Sequence, residues 1–274
     1  MQRAAETLRS QGKRIGVVPT MGYLHEGHLS LVRLAKQHAD VIIATIFVNP
    51  TQFAPNEDFA KYPRDIERDK RLAESAGTDF LFTPETKEMY PNGYSTYVSV
   101  EQITTVLEGK IRPTHFRGVV TVVAKLLNVT KPHVAVFGQK DAQQAAVIKQ
   151  MVRDLNFDVE IIVAPIVRES DGLAMSSRNV YLSSSERKQA TVLYRSLQHA
   201  KQSIEHGQHE CNAVITEMRN MISAEPSANI DYISVANAAT LSECSALKQG
   251  DHVLISLAVR FGATRLIDNI IVTV

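Results

Sequence analysis

Apolar and polar positions along the chain follow two periods. Strand candidates rich in Val, Ile and Phe and without polar alternation occur at residues 14–18, 41–48, 80–82, 134–137 and 159–163, the pattern of strands buried on both faces of a parallel sheet. Between them an apolar spacing of three to four predicts helices near 28–38, 63–76, 115–128 and 141–153, after an amphipathic helix over 2–11 that ends at Gly12. Pro63 fits a first helical turn and Gly77 a helix stop. The expected class is therefore α/β, with a Rossmann-like parallel sheet. Beyond about residue 166 the pattern changes. Asp171-Gly172 marks a turn, followed by a polar loop to Ser185, a long helix at 184–206 before Gly207 and another at 210–224 before Pro226. Strand-like runs at 231–235, 252–259 and 266–274 alternate as a small antiparallel sheet does. Two domains are expected: a Rossmann-like domain over 1–166 and a smaller C-terminal α+β domain over 167–274.

Composition narrows the function classes. With 274 residues, 44% hydrophobic and 22% charged, and a net charge of +1, the chain carries no electrostatic case for nucleic acid or an anionic membrane. No apolar run approaches the roughly 20 residues that span a bilayer, and the N-terminus has no apolar signal core. Cys211 and Cys244 are far apart and lack metal-like spacing, which suits thiols in a reducing compartment; a cytoplasmic location is expected.

In parallel sheets ligands bind beyond the carboxyl ends of the strands, and the chemically unusual residues of this chain fall there. After the first strand, Met21-Gly22-Tyr23-Leu24-His25-Glu26-Gly27-His28 enters a helix. Backbone N–H groups and the helix dipole at such an entrance favour phosphate, and imidazole adds a hydrogen bond. Two histidines at a helix start are also common as plain surface residues, and the spacing is not that of HExxH zinc proteases. After the second strand come Asn49, Pro50 and Gln52, whose amides either meet a hydroxylated carboxylate or hold the turn around Pro50. His115-Phe116-Arg117-Gly118 opens a helix, where Arg117 pairs with a carboxylate or caps carbonyls. After the fourth strand, Gly138 permits close ligand approach, Lys140 supplies charge for phosphate and Asp141 either caps the helix or binds a nucleotide hydroxyl. Last, Ser176, Ser177 and Arg178 can clamp phosphate oxygens, although Ser-rich linkers look alike.

The first of these stretches resembles the HxGH element of adenylyl-transferring enzymes, and Pro19-Thr20-Met21-Gly22 resembles the pantothenate synthetase family. Further resemblances follow in the family's order: Phe47-Val48-Asn49-Pro50-Thr51-Gln52-Phe53, then Arg112 to Val119, then Phe137 to Gln144. The series closes with Met175-Ser176-Ser177-Arg178-Asn179, Tyr181-Leu182 and Arg265-Leu266-Ile267-Asp268-Asn269. Tyr23, Glu26, Thr51, Ala142 and Val180 depart from the commoner choices, and the chain begins one strand short of the family pattern. On these residues it is identified as a member of that family.

The resemblance implies an ATP-dependent ligase that condenses pantoate with β-alanine through a pantoyl adenylate. ATP would be bound by residues 21–28, by Gly138, Gln139, Lys140 and Asp141, and by Val167, Met175, Ser176, Ser177 and Arg178. His25, His28, Lys140, Ser176, Ser177 and Arg178 would stabilise the reacting phosphates, with His28 as proton donor. Gln52, Gln144 and Asn49 would bind pantoate, Mg2+ would accompany ATP with Asp69 as the metal-linked acid, and a homodimer is expected. Two other readings stay open: a nucleotidyltransferase leaving AMP or CMP on a phosphorylated acceptor, and a non-catalytic nucleotide binder.

Overall fold

The computed structural model describes residues 1–55 and 57–274. In the first compact unit, residues 1–139 and 143–165, helix α1 (Gln2–Ser10) leads into strand β1 (Ile15–Thr20), helix α2 (Glu26–Ala35) and strand β2 (Val41–Ile46). Helix α3 (Ile66–Ala76), β3 (Phe80–Phe82) and the short helices α4 (Thr86–Met89) and α5 (Leu107–Ile111) follow. Helix α6 (His115–Thr130), β4 (Val134–Gly138), α7 (Ala142–Asp154) and β5 (Glu160–Ala164) complete the series. The strands form a parallel sheet in the order β3-β2-β1-β4-β5. Ile15 and Val17 pack on one face with α6 and α7 residues such as Val120 and Ile148, and Val18 packs on the other with Leu29 and Val32 of α2. Both faces are covered, which is why these strands lack polar alternation.

The second unit, residues 140–142 and 166–274, holds α8 (Ser184–Gln189), α9 (Val192–Glu205) and α10 (Cys211–Ser223). An antiparallel sheet of β6 (Ala228–Asn237), β7 (His252–Phe261) and β8 (Thr264–Thr273) follows, in the order β6-β7-β8. One face of that sheet packs against α9 and α10 through Leu197, Ile204, Val214, Met218, Ile255 and Leu257.

Three sequence expectations are corrected. Pro63 lies outside α3, because Asp65 caps that helix by accepting the Arg68 N–H at 3.0 Å, and Arg64 grips the Tyr62 and Phe59 carbonyls ahead of it. The long helix over 184–206 is two helices. At the junction Thr191 donates its hydroxyl to the Lys188 carbonyl at 2.8 Å, and Leu193 N–H reaches back only three residues to Ala190. The stretch 171–185, expected as a turn and a polar loop, carries local structure: Arg168 and Ala174 pair in a short hairpin, and residues Ser177–Tyr181 form a 3-10 turn. Helices α4 and α5 have too few turns to show a period in the sequence.

Candidate active site

The strand order reverses direction between β1 and β4, the switch point at which ligands bind in open α/β sheets. The turns leaving Thr20 and Gly138 thus start from adjacent strands at the same sheet edge. After β1 the chain turns through Gly22 (φ +83°) and Tyr23 (φ +50°), both left-handed. A side chain at Gly22 would also meet Ile46 at 2.9 Å and Asp69 at 3.0 Å. Thr20 Oγ1 donates to the Thr45 carbonyl at 2.7 Å and accepts the Gly22 N–H at 3.2 Å.

His25 is extended (φ −140°, ψ 174°) and caps α2. Its backbone N–H donates to Nδ1 of His28 at 3.3 Å, so His28 takes the place of the usual Glu or Gln of a capping box. An Nδ1 that accepts leaves the proton of the neutral ring on Nε2. The two rings lie 4.1 Å apart between centroids, tilted by 37°. Leu24 is buried, and Glu26 is turned to solvent toward Arg33, whose hydrogen bond holds its carboxyl below the usual range. Of the expected contacts in this turn, the Glu26 side chain is thus occupied elsewhere.

Asp69 is 1% exposed and belongs to this turn. Its Oδ2 accepts the Tyr23 N–H and its Oδ1 the Leu24 N–H, both at 2.7 Å. Arg68 donates to the Leu24 carbonyl at 2.9 Å and lies over the Tyr23 ring. No group of three His, Cys, Asp or Glu able to hold a metal is found among the described residues. Asp69, which the resemblance implies as a metal-linked acid, anchors the backbone ahead of His25.

In the second loop Asn49 and Gln52 divide the roles left open by the sequence. Asn49 is 1% exposed and its amide is used internally. Nδ2 donates to Gln52 Oε1 (3.2 Å) and the Gly118 carbonyl (3.1 Å), and Oδ1 accepts from Thr51 Oγ1 (3.0 Å) and Tyr90 Oη (2.7 Å). Asn49 therefore holds the turn around Pro50. Gln52 points its Nε2 at Met21 Sδ, 3.0 Å away, and so lies against the first loop. Its carbonyl accepts from His115 Nδ1 (2.9 Å) and Arg112 (3.3 Å). Arg112 also forms a two-point pair with Glu57 at 2.5 and 2.6 Å. Burial pushes the Glu57 carboxyl up, and Arg112 overcomes this to hold it below its usual range. Arg117 stacks on Tyr97, 3.8 Å from the ring centre, in place of the expected carboxylate or carbonyl.

Beyond β4, Gln139, Lys140 and Asp141 form a 3-10 turn that continues into α7. Gln143 is buried, donating to the Ile103 and Val106 carbonyls and accepting the Glu108 N–H. Gln144, the position chosen for pantoate, is half-buried, and its side chain makes no hydrogen bond to another described residue. In the second unit the Met175 N–H donates to the Val167 carbonyl at 3.0 Å, closing the hairpin. Ser176 caps the following turn by accepting the Arg178 N–H at 3.2 Å, and Asn179 donates to the Ala174 carbonyl. Ser177 is buried. Arg68, Glu57, Arg112 and Tyr90 carry no local signal, since each acts across tens of residues; Asp268 and Asn269 stood out only as part of a terminal motif.

Comparison with known proteins gives a family. The family model described as Pantoate-beta-alanine ligase matches residues 1–271. A protein of Acetivibrio thermocellus named pantothenate synthetase is 59% identical over 268 residues, covering 98% of this chain and 95% of its own length. A pantothenate synthetase structure from Thermus thermophilus superposes with a TM-score of 0.91 at 45% identity, covering 97% of this chain and 96% of its own. A Francisella tularensis pantoate-beta-alanine ligase, complexed with beta-gamma ATP and beta-alanine, has a TM-score of 0.79 at 37% identity, covering 98% and 94% respectively.

Proposed function

The chain belongs to the pantoate-beta-alanine ligase family, and on that basis we propose the chemistry its residues perform. It is an ATP-dependent ligase that joins pantoate to β-alanine. A pantoate carboxylate oxygen attacks the α-phosphorus of ATP, and the bond to the bridging oxygen breaks to release pyrophosphate. The amine of β-alanine then attacks the acyl carbon of pantoyl adenylate, AMP leaves, and the amine proton passes to the leaving phosphate or solvent. No side chain becomes covalently attached, so catalysis comes from alignment and from charge neutralisation.

His28 offers Nε2–H to the phosphate chain, with its ring fixed by the His25 N–H, the observation that most directly supports a donor role. We assign His25, Lys140, Ser176, Ser177 and Arg178 to the phosphates. The backbone of residues 21–28, Gly138, Gln139 and Asp141, together with Val167 and Met175, is assigned to the nucleotide. Gln52 and Gln144 are assigned to pantoate. Asn49 contributes by setting the direction of Gln52, since its own amide is engaged. Mg2+ is read as part of the MgATP substrate: Mg2+ commonly rides on substrate phosphates and water, and both Asp69 oxygens already accept backbone N–H groups. A homodimer and a cytoplasmic location complete the proposal, to be checked by sedimentation and by fractionation. The described residues include no helix long and apolar enough to cross a membrane.

Exchange of labelled pyrophosphate into ATP tests the reading. Exchange that requires pantoate is expected; a stable dinucleotide-like product with no amine dependence would favour a nucleotidyltransferase. His28→Ala and Lys140→Ala should each lower exchange by about 10²–10³ while melting normally. Near-wild-type turnover in either variant would remove that residue's role.

A further inference from the structure

Consecutive residues of β8, Asp268 and Asn269, send their side chains to opposite faces of the sheet. Asp268, on the helix-covered face, forms a two-point pair with Arg168 at 2.6 and 3.0 Å, across 100 positions of chain. Arg168 is in the hairpin that leads to Ser176, Ser177 and Arg178, donates to the Gly172 carbonyl at 3.1 Å and lies over the Tyr194 ring. Asn269 donates Nδ2 to the Lys140 carbonyl at 2.9 Å, across 129 positions. The Asn269 N–H closes back on Asp268 Oδ1 at 2.8 Å. Both side chains are almost fully buried, at 2% and 3% exposure.

Burying an ion pair is a poor route to stability, since apolar replacements of similar volume are often as stable. Burial indeed pushes the Asp268 carboxyl up against the opposing pull of Arg168 and Lys140. What the pair supplies is geometry. We infer that Asp268 and Asn269 are positioning residues for adenylation, a two-residue clamp that holds the Lys140 backbone and the Arg168 hairpin in one fixed relation. The inference rests on the assignment of Lys140 and residues 176–178 to the phosphates. A displacement of 1 Å at such groups costs on the order of 10² in rate while leaving substrate affinity less affected.

Ser256 lies directly opposite Asn269 in register, is also buried, and its hydroxyl has no hydrogen-bond partner among the described residues. It provides the control. Asn269→Asp keeps the shape but turns a carboxylate oxygen on the Lys140 carbonyl. In the full-length protein, Asn269→Ala and Asn269→Asp should lower the maximal rate of pantoate-dependent pyrophosphate–ATP exchange by about 30-fold or more, with the pantoate KM within about threefold. Ser256→Ala should retain the wild-type rate. Exchange undiminished in folded Asn269→Asp would overturn the inference, as would an equal loss in Ser256→Ala. If neither Asn269 variant melts cooperatively, Arg168→Lys decides: a tenfold or greater fall in rate at unchanged pantoate KM supports the clamp, and an unchanged rate overturns it. Absence of exchange in the unsubstituted protein would instead sink the ligase reading, and this inference with it.

Discussion

The Asp69 carboxylate accepts the backbone N–H of Tyr23 at 2.7 Å, 46 residues away along the chain. Tyr23 is left-handed (φ +50°), a conformation that costs a non-glycine residue on the order of 1 kcal/mol or more unless its surroundings hold it. Asp69 is what holds it, and His25 follows two residues later. The capping geometry of the histidines is therefore set from the first turn of α3.

Asp69→Asn tests this directly. The amide retains one acceptor and turns its NH2 toward the second backbone N–H, leaving a buried donor unpaired at a cost of about 1–3 kcal/mol. Thermal melting should report that loss, and exchange should fall at every Mg2+ concentration. If only the Mg2+ requirement rises while the melting temperature holds, Asp69 acts through the metal and the anchoring role is wrong.

Gly118 in α6 faces Thr51, whose carbonyl oxygen would lie 2.4 Å from an added Cβ. Gly→Ala within a helix ordinarily gains about 1 kcal/mol. Overpacking costs about 1–3 kcal/mol, and the opposing atoms here are backbone, which cannot rotate away. Gly118→Ala should be net destabilising, displace the loop bearing Gln52 and raise the pantoate KM. A more stable variant with unchanged KM would contradict this packing.

Asn49→Asp places a carboxylate oxygen against the Gly118 carbonyl and Gln52 Oε1, both acceptors now served by Nδ2. The loss should be about 1–3 kcal/mol per unpaired buried group, with weaker pantoate binding through a misdirected Gln52. Full stability combined with lost pantoate binding would mean that Asn49 contacts the substrate itself.

Burial, followed by the charge of Arg112, pushes the His115 imidazole down from 6.5 to about 4. The unfolded chain therefore takes up this proton first as the pH falls. Stability from the neutral ring is complete above pH 6.5 and is lost as the pH drops from 6.5 toward 4, by roughly 3 kcal/mol. His133 shifts in the same direction. His115→Asn, which keeps an N–H for the Gln52 carbonyl, should flatten but not abolish the fall in urea-unfolding free energy across that window. An unchanged slope would show that His115 is solvated and titrates normally.

The sequence alone determined which segments become strands, because a sheet covered on both faces leaves runs without polar alternation such as 41–48 and 134–137. It also determined the helix stop at Gly77, whose left-handed φ of +96° suits glycine, and the chemical identity of the loops after β1, β2 and β4. Local patterns record local physics: period, cap and turn. Only the tertiary structure decided that Asn49 braces Gln52, that Gln143 is spent on loop carbonyls while Gln144 is not, and that Asp69 grips Tyr23. It likewise tied Lys140 and the Arg168 hairpin to β8. Each of these is a hydrogen bond between groups separated by up to 129 positions or a choice between neighbouring identical residues. Such pairings are fixed by chain topology and by the demand that buried donors find acceptors, neither of which leaves a periodic trace.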